Sequence, residues 1–193
     1  MPPPDAAKRG FLEGKLLIAM PSMPDPRFEK SVIYMCAHND EGAMGIIVNK
    51  AIEGLELSTL LEKLSISRAV LSGDMPVLYG GPVQTGRGFV LHTADYESPE
   101  QSIHVGAEIA LTATVDILRA IGEGKGPKKF LMALGYAGWG DGQIEDEIKA
   151  NGWLHCDADS EILFDTPVVD KWRLALARLG AGISGLTGEA GRA

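Results

Sequence analysis

His38, Asn49, Tyr79, Tyr136, Trp139 and Gln143 are polar or aromatic side chains set inside apolar or glycine-rich runs. A ligand pocket uses residues placed this way, and so do buried turn anchors. Imidazole, amide, phenol and indole groups suit hydrogen bonding to, and stacking on, a small molecule; as a set they do not supply a nucleophile. The stretch Gly135–Gln143, GYAGWGDGQ, concentrates Tyr136, Trp139 and Gln143. It follows an apolar run at 128–138 and opens a helix expected over 142–150, an arrangement that turns free backbone N–H groups toward an anion. Asp141, Glu145 and Asp146 crowd the same helix start, where they satisfy those groups themselves and repel phosphate. Trp139, between glycines, can stack on a flat group or plug the core. The glycine spacing also misses the dinucleotide pattern GxGxxG by one position.

Covalent and metal chemistry find less. A GxSxG nucleophile elbow is missing, because Gly182-Ile183-Ser184-Gly185-Leu186 lacks the final glycine. His155 and Cys156 are adjacent, but neighbours on a strand point to opposite faces, so they do not act as a pair. His38, His92, His104 and His155 are scattered without HxxxH or HExxH spacing, so neither a metal nor a cofactor is assigned. The loop GEGKGPKK at 122–129 lacks the P-loop order and precedes a strand, which makes it a surface loop whose lysines could attract an anion. No catalytic residue is assigned, and the chain reads as non-enzymatic.

The elements that must position these side chains alternate in type. KLLIAM at 15–20, SVIYMCAH at 31–38 and AMGIIVNK at 43–50 are β-rich runs, the last two joined by the turn residues Asn39-Asp40-Glu41-Gly42 as a hairpin. PVLYGGPV (76–83) and GFVLHT (88–93) are expected strands around Gly-Gly-Pro and Gln84-Thr85-Gly86-Arg87 turns, and QSIHVG (101–106), KKFLMALGYAG (128–138), WLHCDA and EILFD are further ones. Helical spacing marks segments from Ser58, from Thr114 to Ile121, over 142–150 with a Glu145/Lys149 pair on its wet side, and from Pro167 to Leu179. Strands and helices mix without βαβ alternation, so the fold class is α+β with a mostly antiparallel sheet. One domain is expected over 11–180, with a loose proline-rich extension at 1–10 and a glycine-rich tail at 181–193.

With 26 acidic and 18 basic residues among 193, the formal charge is −8, which disfavours direct DNA binding. The imbalance concentrates between Asp141 and Glu161, where seven acids meet only Lys149. A protein partner meeting this 141–161 face is expected to be basic, cationic or neutral. Two cysteines 120 positions apart, no export signal in the first twenty residues and no membrane-spanning run point to a soluble, cytoplasmic protein.

The motifs GKLLIAMPSM, SVIYMCAHNDEGAMGIIVNK, YGGPV, GFVLHT, GYAGWGDGQIEDEI and NGWL together resemble the YqgE/AlgH family of bacterial proteins over residues 11–193. That resemblance implies a bifurcated β-sheet curled into a pseudo-barrel with helices outside. Members carry a transcriptional-regulator label, which implies a regulatory protein acting through protein partners. A small-molecule binder or enzyme with a pocket near GYAGWGDGQ is the alternative.

Overall fold

The apolar runs on either side of Asn39-Asp40-Glu41-Gly42 form the expected hairpin. Strands β2 (Val32–Asn39) and β3 (Gly42–Ile47) run antiparallel, with Ile33 opposite Ile47 and Asn39 opposite Gly42. Asn39 Oδ1 accepts the Glu41 N–H at 2.8 Å, an Asx turn that fixes the reversal. The computed structural model describes residues 11–180 apart from 69, 72, 97, 99 and 100. The expected extension 1–10 and tail 181–193 lie outside the described residues.

In chain order the other strands are β1 (Lys15–Ala19), β4 (Ala51–Glu56), β5 (Pro76–Tyr79), β6 (Val83–Thr93), β7 (Ser102–Val105), β8 (Ile109–Thr112), β9 (Phe130–Gly140) and β10 (Trp153–Asp157). Helices are α1 (Leu57–Lys63), α2 (Val115–Gly122), α3 (Gln143–Lys149) and α4 (Lys171–Arg178). The sheet order is β10-β1-β2-β3-β9-β6-β8-β7, with β5 beside β9 and β4 beside β5, and the sheet curls into a half-barrel. All pairings are antiparallel except β5 with β9.

Strand periodicity divides the core. Leu16 and Ile18 face one apolar cluster with Val32, Tyr34, Ile46 and Phe89, whereas Leu17 and Ala19 face a second with Ile33, Met35 and Ile47. Trp172 and Leu176 of α4 close the first cluster; Ile144 of α3, with Trp139 and Trp153, fills the second. A third forms where Leu57 and Leu61 of α1 and Ile117, Leu118 and Ile121 of α2 cover Val77, Val90 and Met132.

Three expectations need correction. EILFD is a π-helical turn, Glu161–Asp165, because adjacent Ile162 and Leu163 are buried in the same cluster, which a strand's alternation forbids. The expected turn Gln84-Thr85-Gly86-Arg87 instead lies within β6, Val83–Thr93, whereas the expected break at Gly-Gly-Pro separates β5 from β6. Strands β4 and β8 arise from segments not read as strands, and the four residues of β8, Ile-Ala-Leu-Thr, are all buried and show no alternation. No helix among the described residues is long and apolar enough to cross a membrane.

Candidate functional site

The long strand β9 pairs with β3, β5 and β6, and its last half carries GYAGWG. It meets YGGPV at contact distance. A Cβ on Gly81 would lie 2.1 Å from the Tyr136 carbonyl carbon, and one on Gly135 would lie 2.4 Å from Gly81 O. Gly135 also has φ +75°, so this crossing needs glycine for both space and backbone conformation. The expected glycine corner is therefore mostly strand, and the turn into α3 is reduced to Asp141-Gly142.

Beyond the crossing, β6 departs from the sheet. Val83 pairs with Tyr136 and Gly88 with Leu134, so five steps on β6 span two on β9, and three extra residues loop outward. Gln84 takes φ +48° to allow it. The excursion carries Arg87, whose guanidinium lies 5.2 Å from the Phe89 ring centroid and donates to Gln84 Oε1 at 3.3 Å. Arg87 forms no ion pair among the described residues.

A cleft of about 640 Å³ opens beside this excursion. Met44, Phe89, Leu111, Tyr136 and Ile103 supply apolar lining, and Asn39, Gln84, Arg87 and Gln101 with Glu41 supply polar groups. Its volume is that of a small-molecule site. Val83, Gly138 and Trp139 border both this cleft and a second one of about 420 Å³, which lies between Met23, Phe28, Trp153 and α3.

The six sequence candidates do not converge. Tyr136 and Trp139 border the larger cleft; Trp139 and Gln143 share the smaller. Tyr136 stands edge-on to Phe89 at 5.8 Å. Tyr79 packs against the second core cluster and borders neither cleft. Asn49 is a staple: its Oδ1 accepts the Val32 N–H and its Nδ2 donates to Lys30 O, both at 2.8 Å. His38 is buried, with Nδ1 accepting the Leu12 N–H at 3.0 Å and Nε2 facing Glu145 Oε1 at 2.7 Å. Leu12 thereby sets the tautomer: Nε2–H donates to Glu145, and neither ring nitrogen is left for a substrate proton. Glu145 thus turns to His38 and not to the expected partner Lys149. Burial pushes the Glu145 carboxyl up, but bonds from its own backbone N–H and from His38 outweigh that and hold it below the ordinary glutamate value.

The acidic segment is likewise divided. Asp157 pairs with Lys15, while Asp159 and Glu161 pair with Arg178. Glu147 turns inward to Trp139, Trp153 and Gln143. Asp141 and Asp146 are exposed and form no ion pair among the described residues. The thiols are quiet. Burial pushes Cys36 up to about 12, and burial also raises half-buried Cys156. Buried His92 is engaged at both ring nitrogens, by Thr93 O and Thr112 Oγ1, each at 2.7 Å. No cluster of three or more His, Cys, Asp or Glu among the described residues is arranged to hold a metal ion.

A family model described as AlgH-like matches residues 16–184. The chain belongs to the AlgH-like family. A UPF0301 protein of Bradyrhizobium diazoefficiens is 52% identical over 198 residues, covering 99% of this chain and 92% of the relative. A UPF0301 protein of Rhodospirillum rubrum is 50% identical over 184 residues, covering 95% of each. The solution structure of AlgH from Pseudomonas aeruginosa superposes with a TM-score of 0.76 at 43% identity, covering 96% of this chain and 97% of that one. A crystal structure from Corynebacterium diphtheriae gives a TM-score of 0.68 at 18% identity with 86% of each chain covered, a likeness of fold.

Within this AlgH-like chain, sequence reasoning passed over Arg87, Met44 and Phe89. Gln84-Thr85-Gly86-Arg87 reads as a turn between strands. The available signal was an arginine two residues before a phenylalanine, which puts both on one strand face.

Proposed function

We propose that this AlgH-like protein works by binding and not by turnover: it is a regulatory protein that takes a small ligand into the cleft between Met44, Phe89 and Tyr136. The observation that carries this reading is the cleft itself, about 640 Å³ with an apolar lining and a few polar groups at its edge. Two groups that could do covalent or proton-transfer work, His38 and Cys36, are engaged elsewhere. His38 has both nitrogens bonded, and Cys36 is buried with its thiol held protonated. The regulatory role implied by the family resemblance enters as control of a protein partner by the filled or empty cleft. Asp141 and Asp146, two and seven residues after Trp139 and without an ion pair among the described residues, are the acids of the 141–161 segment left to meet a partner that is basic, cationic or neutral. The charge of −8 speaks against direct contact with DNA.

The test is a thermal-shift screen of nucleotides, metabolites and metals on the wild type and on two cleft-filling variants, Ala113→Phe and Met44→Trp. A ligand present at 100 times its Kd adds about 2.7 kcal/mol, a rise of several degrees in Tm. We expect at least one compound to stabilise the wild type and neither folded variant. Silence across the screen, or equal shifts in the filled variants, overturns the reading.

A further inference from the structure

We infer that the larger cleft selects an amphipathic anion, a small molecule with one carboxylate, sulfonate or phosphate on an apolar body. This rests on the cleft being a binding site and adds the chemistry of its occupant.

Among the described residues, Arg87 is the only cationic side chain lining the cleft. Stacking on Phe89 holds its guanidinium over the apolar lining, so little side-chain entropy is left to lose on binding. Of its five N–H donors, one is used among the described residues, toward Gln84 Oε1. A fork of free donors beside an apolar surface matches a bidentate oxyanion. The residue reaches this place through the outward loop of β6, in which Gln84 takes a left-handed conformation that residues other than glycine rarely adopt.

The apolar part of the occupant has a counterpart in Ile103. It sits on β7 opposite Leu111, which is 2% exposed, yet Ile103 itself is 57% exposed and lines the cleft. Glu41, the single acid in the lining among the described residues, comes from the β2–β3 turn, and β3 and β6 flank β9 on opposite sides. Two strand spacings amount to about 10 Å. This arrangement orients the occupant, with its charged end at Arg87 and its apolar body along Phe89 and Tyr136 toward Ile103.

Two fluorescent probes separate the charge from the apolar body: 8-anilino-1-naphthalenesulfonate and N-phenyl-1-naphthylamine, which share the naphthyl-phenylamine body and differ by the sulfonate. We expect saturable binding of the sulfonate to the wild type, with the neutral probe at least about tenfold weaker. Arg87→Gln should weaken the sulfonate about tenfold and leave the neutral probe within about twofold; Arg87→Lys should keep part of the preference. Tm within a degree of wild type shows that the exposed-loop variants are folded. Equal affinity for the two probes, or a sulfonate affinity that Arg87→Gln leaves unchanged, overturns the anion inference while the cleft stands. Binding of both probes that survives in folded Ala113→Phe and Met44→Trp overturns the cleft itself. Displacement of the sulfonate by dodecanoate assigns an aliphatic body and displacement by 2-naphthoate an aromatic one; displacement by neither overturns the inference.

Discussion

Trp139 and Trp153 donate their indole N–H groups to the same carboxylate oxygen, Oε2 of Glu147, at 3.0 and 2.9 Å. Oε1 of the same carboxylate accepts Gln143 Nε2 at 3.0 Å. One side chain on α3 therefore fastens β9 to β10 across the second core cluster, and Phe28 covers both indoles, near-parallel to Trp139 and edge-on to Trp153. The charge of Glu147 is spent on packing the wall that the two clefts share.

Glu147→Gln keeps the shape but replaces one acceptor oxygen with an NH₂ group that faces an existing donor. We expect a loss of about 2 kcal/mol, the range of a hydrogen bond to a charged group. At this chain length that lowers Tm by about 4–8 °C. Denaturant melts followed by tryptophan fluorescence measure it; a midpoint equal to wild type would show that the indoles find other acceptors.

Asp141→Asn combined with Asp146→Asn is expected to leave stability within about 1 kcal/mol, since only two exposed charges are lost, one before α3 and one in its first turn. Neutralising Glu145, Asp146 and Glu147 together removes the His38 and tryptophan contacts as well, so reduced partner binding by that triple variant reports folding. Urea midpoints of the double and triple variants, side by side, check this contrast.

Glu145 makes stability depend on acid. Its folded carboxyl sits below the ordinary value of 4.5, so its contribution is complete above that value and is lost as pH falls through the depressed folded one. Glu145→Gln should flatten the decline in urea midpoint below about pH 4.5 relative to wild type. Parallel declines in the two proteins would exclude the His38 contact as the cause.

Gly135→Ala is expected to cost more than about 3 kcal/mol or to abolish soluble expression. The new Cβ would meet Gly81 O at 2.4 Å at a backbone φ of +75°, and the opposing atom is backbone, not the end of a flexible side chain. A soluble variant with a near wild-type midpoint would mean that YGGPV and β9 can move apart.

Much of the architecture is legible from local pattern. The β2–β3 hairpin follows from turn residues between β-rich runs, and α2 and α3 follow from helical spacing. Trp139 and the glycines of β9 stand out as a motif, although their reason, a crossing with YGGPV, is a contact across more than fifty residues. The parts that escape are set by distant partners. His38 meets Glu145 across 107 positions, and Lys171 meets Val48 across 123. No spacing rule places such pairs, so His38 and Asn49 look like pocket residues until their partners are known. EILFD fails for a different reason, because a short apolar run is compatible with strand or helix until its neighbours decide.

Lys171 supplies the last prediction. It is 1% exposed within the first core cluster, and its Nζ donates to Val48 O at 2.9 Å and Leu163 O at 2.8 Å. It thereby ties α4 to the residues after β3 and to the π-helical turn. No carboxylate among the described residues pairs with it, and burial lowers its pKa to about 8 from 10.5. Below pH 8 both folded and unfolded chains carry the proton, and the fold bears the full cost of the buried charge. Between 8 and 10.5 the unfolded chain binds more protons, so this group makes stability rise with pH, by about 1 kcal/mol from pH 8 to 9. Cys36, raised from 9 to about 12, acts in the opposite direction above pH 9, because there the unfolded thiol loses its proton first. The difference between wild type and Lys171→Met cancels the Cys36 contribution. That difference in denaturant midpoint should move in favour of wild type as pH rises from 8 to 9. A constant offset over that interval would mean that Lys171 keeps its ordinary proton affinity, its two carbonyl bonds compensating for lost water.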